Sequence, residues 1–315
     1  MKKIKLGISS CLLGEKVRYD GGHKLDHFLS DTLGKYVEWV RVCPEVECGL
    51  PVPREAMHLV GDPEAPRLVT VRTGVDHSAR MAAWAKKKVA TLDKEDLCGF
   101  IFKSRSPSSG MRGVKIYTET GMPKATGSGI FAKAFMTKFS LLPVEDEDRL
   151  HDPALRENFI ERIFVFKRWQ KFRASDKTIG GLVSFHTDHK LLVMSHSAKH
   201  YAALGRLVAD AKKYSRQAFH ENYLATLMEG LRFIATVKKN TNVLQHMAGY
   251  FKDLLSKDEK QELQEVIANY HKELVPLIVP MTLIGHYVKK YNVEYLKRQY
   301  YLTLHPLELM LRNHV

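Results

Sequence analysis

Two stretches decide how the first half of this chain is read: Ile4-Lys5-Leu6-Gly7-Ile8-Ser9-Ser10-Cys11-Leu12-Leu13-Gly14 and Val37-Glu38-Trp39-Val40-Arg41-Val42-Cys43-Pro44-Glu45-Val46-Glu47-Cys48-Gly49. Each begins as a short apolar run and breaks into a loop that presents a cysteine just past the last apolar residue. Further strand candidates lie at 67–71, 98–102 and 114–117, and helices are expected near 25–33, 76–92 and 129–139. Short apolar strands separated by helix-length segments indicate βαβ units. The expected class is therefore an α/β domain with a mostly parallel, Rossmann-like sheet. Ligands of such sheets bind beyond the carboxyl ends of the strands, where Cys11 and Cys43 would be delivered.

Most free cysteines are small buried hydrophobes. A cysteine in a Gly/Pro-rich loop beside a carboxylate departs from that pattern, and Cys11, Cys43 and Cys48 together suggest ligands of a soft metal centre. The fourth cysteine, Cys98, opens a strand and reads as a core residue. Few cysteines, clustered and not spread in pairs, argue against a disulfide framework and for the reducing cytoplasm.

The 315 residues exceed one ordinary core, so two domains are expected. No apolar run approaches the roughly 18–20 residues of a membrane span, and no secretory signal is expected at Met1. The segment Leu142-Pro143-Val144-Glu145-Asp146-Glu147-Asp148 breaks the βα alternation, which sets the expected domains at 1–147 and 148–315. The formal charge is +14, and residues 151–315 hold 25 Lys/Arg against 16 Asp/Glu. Such an excess suits a polyanionic partner, because neutralising phosphates releases counterions. It is equally compatible with a merely soluble basic surface.

The second half has helical periodicity throughout and is expected to be all-α. Ser256-Lys257-Asp258-Glu259 reads as a capping box. Arg162, Lys167, Arg168, Lys171 and Arg173 are the expected phosphate-contacting cluster. His186, His189, His196 and His200 have spacings a metal could use. No cysteine or dense carboxylate set accompanies them, so surface or phosphate-facing histidines are expected.

In the first half, Lys103-Ser104-Arg105-Ser106-Pro107-Ser108-Ser109-Gly110 follows a strand and should open at the same mouth as Cys11 and Cys43. Hydroxyls, N–H groups and arginines there can bind an anion or polarise a substrate heteroatom. Gly127-Ser128-Gly129-Ile130-Phe131 is expected to start a helix whose first N–H groups face the same cavity. Neither GxGxxG nor a P-loop is present. Arg18-Tyr19-Asp20-Gly21-Gly22 reads equally as a polar contact to a ring or phosphate and as a self-capped turn.

The motifs CLLGEKVRYDGG from Cys11, VCPEVECGLPVPRE from Val42 and KSRSPSSG from Lys103 resemble the thiouracil desulfidase family of iron–sulfur enzymes. The RENFIERIFVFKRWQ opening of the second half resembles the all-helical domain fused to that fold in the longer desulfidases. The resemblance implies a 4Fe-4S cluster held by three cysteines, with one iron not ligated by protein and open to the thiocarbonyl sulfur. It also implies non-redox desulfuration of 4-thiouridine in tRNA to uridine with release of sulfide. Where the short desulfidases carry a cysteine, this chain reads Ser108-Ser109. The third ligand is then expected at Cys48, with Cys98 as the alternative.

Glu45, the CPE carboxylate, is the expected acid–base group, with Glu47 second. Ser104 and Ser106 are expected to orient water or the pyrimidine. Arg18, Tyr19, Asp20, Ser108 and Ser109 are the expected substrate contacts. Two other readings stand beside this one: desulfuration of free thiouracil-type bases, and a non-catalytic nucleic-acid-binding protein with structural zinc. Zinc on three thiolates lacks a fourth ligand in these loops, which disfavours the last.

Overall fold

The computed structural model describes residues 3–303, 309 and 311–312. It divides into two compact units, one reaching to Asp152 and the other beginning at Pro153, slightly beyond the position read from the acidic run.

The first unit is α/β. Its strands are β1 (Ile4–Ser9), β2 (Val37–Val42), β3 (Met57–Val60), β4 (Arg67–Thr70), β5 (Phe100–Phe102), β6 (Val114–Tyr117), β7 (Pro123–Gly127) and β8 (Val144–Asp146). They form two four-stranded sheets, β2-β1-β5-β8 and β4-β3-β6-β7. All pairings in the first are parallel, so four carboxyl ends emerge along one edge. The second sheet is mixed, with β3 antiparallel to β4 and parallel to β6, and β6 antiparallel to β7. The strands at 67 and 114 thus leave the expected parallel sheet for a second one, recruited by β3 and β7. Those two strands are short, and the exposed Pro123 and Lys124 give β7 no apolar alternation to read.

Three helices belong to this unit: α1 (Pro44–Glu47), α2 (Ser78–Leu92) and α3 (Ile130–Lys138). The helix expected near 25–33 is instead a wide turn at Phe28–Thr32 continued by a 3-10 turn at Leu33–Lys35. Phe100 and Phe102 stack at 4.4 Å, and Phe131 and Phe135 of α3 pack on them. Gly7 is required beneath this cluster, because a Cβ there would lie 2.1 Å from the Phe100 ring. Burying each such side chain contributes about 1.5–3 kcal/mol.

The second unit is helical: α4 (Pro153–Ser175), α5 (Ile179–His196), α6 (Ala198–Ala209), α7 (Arg216–Gly230), α8 (Val237–Ala248), α9 (Lys257–His271), α10 (Ile278–Lys290) and α11 (Glu294–Lys297). The capping box at α9 is present as read, with Ser256 Oγ accepting from Glu259 N and the Glu259 carboxylate from Ser256 N. Among the described residues, no helix is long and apolar enough to cross a membrane.

Two expectations for this unit need correction. His186, His189, His196 and His200 are buried, at 8%, 1%, 0% and 4% exposure, and face neither solvent nor phosphate. His189 stacks on Phe185, His186 Nδ1 meets the Tyr223 hydroxyl, and His196 sits between Glu161 and the Phe233 carbonyl. The basic cluster on α4 is not one exposed stripe either. Arg162 is buried, Arg168 lies 3.9 Å from the centre of the Tyr300 ring, and Arg173 reaches His220, while Lys171 is exposed and Lys167 half-buried. With apolar residues on most sides of α4, a long arginine there covers its stem against neighbours.

Candidate active site

Because β1, β2, β5 and β8 run parallel, the residues following each strand gather at one edge. A cavity of about 230 Å³ opens there, lined by Ser9–Cys11 at the end of β1, Val42–Glu45 at the end of β2, Lys103–Ser109 after β5, and Val17–Tyr19 with Arg54. It is smaller than the roughly 300–1,000 Å³ of sites for drug-sized ligands. A larger substrate would present one ring to it.

Cys11 lies in the 3-10 turn Ser10–Leu13 that follows β1, and Cys43 is the N-cap of α1 with Pro44 at the first helical position. Burial pushes the Cys11 thiol up to about 11, with Lys103 and Arg18 opposing, and it raises the Cys43 thiol as well. Cys48 does not join them. It packs against the cluster of Leu59, Leu68 and Met81, donates to the Glu45 carbonyl at 3.2 Å, and is absent from the cavity wall. The physical reason is the single turn of α1. Five residues along a closed helical turn carry the side chain to the opposite side of the loop, toward α2.

Cys98 is fully buried ahead of β5. Among the described residues, no group of three or more His, Cys, Asp or Glu could hold a metal ion. Two thiols, Cys11 and Cys43, line the cavity and could anchor a cluster there, one fewer than the three cysteines that the resemblance implies, with Ser108 and Ser109 in the loop where the short desulfidases carry a cysteine. Cys48 is not placed to be the third.

Glu45 is tied on both oxygens. Arg54 Nε donates to Oε2 at 2.8 Å, its Nη2 makes a second contact there, and the Ser108 hydroxyl donates to Oε1 at 2.8 Å. Arg54 also donates to Val17 O at 3.0 Å, so one guanidinium joins the cysteine turn to the Arg18 loop. Glu47 faces away, accepting from Cys43 N at 2.9 Å and pairing with Lys88 at 2.8 Å. Asp20 caps its own turn through Gly22 N at 2.9 Å and does not line the cavity, whereas Arg18 and Tyr19 do.

The serine loop is held from below. Ser9 Oγ bonds Ser109 Oγ at 2.9 Å and accepts from Lys103 N at 2.9 Å, and Ser106 Oγ lies 3.1 Å from Ser108 Oγ. The amino end of α3 does not offer its N–H groups to the cavity as expected. Gly129 N donates to Gly110 O at 2.8 Å and Phe131 N to Ser108 O at 2.9 Å, so the helix clamps the loop. Gly129 is obligatory in this clamp, since a Cβ would stand 2.5 Å from the Ser108 carbonyl carbon.

One supporting residue escapes a reading of the sequence. Glu147, just after β8, pairs with Lys103 Nζ and accepts from Ser104 N at 2.6 Å and Ser104 Oγ at 3.0 Å. The acidic run around it reads as a linker. The strand before it, β8, reads Val144-Glu145-Asp146 and has no apolar run to mark it.

Residues 6–147 match the family described as 2-thiouracil desulfurase, and residues 190–306 match one described as a protein of unknown function (DUF1722). The chain is 31% identical over 153 residues to the uncharacterized protein YbgA of Escherichia coli (strain K12), covering 48% of this chain and 90% of that one. It is 30% identical over 153 residues to the uncharacterized protein YbbK of Bacillus subtilis (strain 168), covering 46% and 97% respectively. Among solved structures, the 4Fe-4S-dependent thiouracil desulfidase TudS is 32% identical over 49% of this chain and 97% of its own, with a TM-score of 0.39.

Proposed function

The chain belongs to the 2-thiouracil desulfurase family through residues 6–147, and on that premise we propose that it removes sulfur from 4-thiouridine in tRNA. Water replaces the thiocarbonyl sulfur, so that the thiocarbonyl and water become a carbonyl and hydrogen sulfide with no net oxidation or reduction. The observation that carries the reading is the convergence of Cys11, Cys43, Glu45 and the serine loop on one ring-sized cavity. Cys11 and Cys43 would hold a 4Fe-4S cluster, which when bound supplies a soft Lewis acid for the substrate sulfur.

The remaining roles fall to the chain's own side chains. Glu45, paired with Arg54, takes the proton of the attacking water, a role worth roughly 10²–10⁴-fold in rate. Ser108 fixes its orientation at 2.8 Å. Ser104 and Ser106 line the wall, and in this reading their hydroxyls hydrogen-bond the pyrimidine, while Lys103 beside them is held by Glu147. The helical unit would supply sequence-independent phosphate contacts. Its exposed Lys171, Lys199, Lys212, Lys213 and Arg216 suit that better than the engaged Arg162 and Arg168.

Incubation of cluster-reconstituted protein with thiolated tRNA, followed by nucleoside analysis, tests the proposal. The expected result is loss of 4-thiouridine, an equal gain of uridine and one sulfide per event. Unchanged tRNA with turnover of free 4-thiouracil would favour the second reading, which the small cavity accommodates equally.

A further inference from the structure

The second unit holds a cavity of its own, of about 310 Å³, bounded by α4, the turn before α8, the end of α9 and the turn before α10. That volume falls at the lower end of the roughly 300–1,000 Å³ of small-molecule sites. Its wall has two characters. Ile234, Val237, Val275 and Leu277 are apolar, while Glu157, Glu161 and Glu273 contribute three carboxylates. Against them the described part of the wall sets one guanidinium, Arg312, and one imidazole, His196. Both are already spent. Arg312 gives Nε to Glu157 Oε1 at 3.2 Å, Nη2 to Glu161 Oε1 at 2.8 Å and Nη1 to the Tyr301 carbonyl. His196 meets Phe233 O through Nδ1 at 2.6 Å and Glu161 Oε2 through Nε2 at 2.9 Å. The amide donor of Asn158 goes to Leu231 O at 2.9 Å.

Glu161 therefore holds both positive groups, and Glu157 shares the guanidinium only as a second carboxylate. Glu157 is faced by Glu161 of its own helix, by Tyr270 of α9, and by Tyr301 and Arg312. Burial and the Glu161 charge push its carboxyl up to about 8, with Arg312 opposing. A buried carboxyl in that position lacks positive charge. Glu273 stands on the exposed rim in the left-handed conformation that closes α9, with φ at +59°, and makes no ion pair among the described residues. The wall is thus rich in acceptors at its depth and at its mouth, with aliphatic side chains beside them. A metal ion would leave those side chains uncovered, and among the described residues no group of three or more His, Cys, Asp or Glu could hold one.

We propose that this cavity binds an aliphatic diamine, one ammonium on Glu157, the other on Glu273, and the methylenes against Val237, Val275 and Leu277. A monoamine answers only one of the two carboxylates, and an anion meets no free donor on the described wall. The site belongs wholly to the second unit and stands independently of the desulfidase reading.

Calorimetric titration of the full chain with 1,4-diaminobutane, 1,5-diaminopentane, butylamine and magnesium chloride, at fixed ionic strength, tests the proposal. At least one diamine should bind one per chain, about tenfold or more tighter than butylamine, the value of one charged hydrogen bond. Equimolar magnesium should not displace it. Binding ionises a carboxyl that is protonated in the free protein, so protons should be released at pH 7 and diamine affinity should rise from pH 6 to pH 8. Glu157→Gln should remove both the proton release and most of the affinity. Glu273→Gln alters only the exposed rim and leaves the buried network intact. It should bring diamine affinity down to that of butylamine and leave butylamine unchanged.

Absence of saturable binding by either diamine would overturn the proposal, as would equal affinity for diamine and butylamine. Displacement by equimolar magnesium would reduce the site to a general cation surface and overturn it too. So would a diamine affinity unchanged in Glu273→Gln, whether or not the Glu157→Gln protein folds.

Discussion

Replacing Glu147 with Gln should loosen the serine loop by a calculable amount. The carboxylate is 8% exposed and accepts from the Lys103 ammonium, the Ser104 amide and the Ser104 hydroxyl. Glutamine keeps the shape and can still accept from the amide, but it removes the charge that Lys103 faces. Breaking a buried ion pair by deleting one partner costs about 3–5 kcal/mol. The Lys103 side chain keeps 18% exposure and can regain some water, so the expected loss is about 2 kcal/mol. Native-state hydrogen exchange on the full chain reads this locally, through the amides of β5 and β8, including the Phe100 N to Pro143 O bond. Lys103→Met and the double variant complete the cycle, with an expected coupling of about 1.5–2 kcal/mol. In the cluster-loaded protein, kcat should fall together with loop protection. A coupling below about 0.5 kcal/mol, or unchanged exchange in β5 and β8, would show that Glu147 does not hold Lys103 and would refute the reasoning.

Three further outcomes are expected. Cys11→Ala and Cys43→Ala should each abolish bound iron after reconstitution, Cys48→Ala should retain it, and Ser109→Cys should raise iron per chain, all measured by metal analysis and visible absorbance; iron loss in Cys48→Ala alone would return that residue to the ligand set. Glu45→Gln should keep the iron content while single-turnover rates fall roughly 10²–10⁴-fold, and near-normal rates would remove Glu45 as the base. Burial lowers His186 to about 4 and His189 to about 3, so both are neutral when folded and take up protons on unfolding. The sign follows: their contribution is intact above about pH 6.5 and is lost as pH falls toward the folded values, by about 3 kcal/mol apiece near pH 4. Acid titration followed by the fluorescence of Trp169, which packs on Phe185 beside them, should show this, and His189→Gln should flatten the curve; an unchanged acid midpoint in that variant would count against it.

The site itself was half legible. Cys11, Cys43, Glu45 and the serine loop could be placed from sequence because each follows a strand, and strand direction alone assigns it to the sheet's carboxyl edge. Cys48 was misplaced because its direction depends on the one-turn helix α1, which is too short to leave a periodic signature. Asp20 read equally as ligand and as turn cap, and its bond to Gly22 N decides for the cap.

By itself, the sequence determined what neighbours along the chain control: the βα alternation, the change to helical period, the capping box at Ser256 and Glu259, and the cysteine loops. These depend on backbone preference and on contacts three or four residues apart, which a linear pattern records. Tertiary structure alone decided the split into two sheets, the inward turn of Arg162, Arg168 and the histidines, and the grip of Glu147 on Ser104. Glu147 and Ser104 lie 43 residues apart. Such pairings are chosen by which surfaces the folded chain brings together and by the cost of leaving a buried charge unanswered, and neither quantity is written in local periodicity.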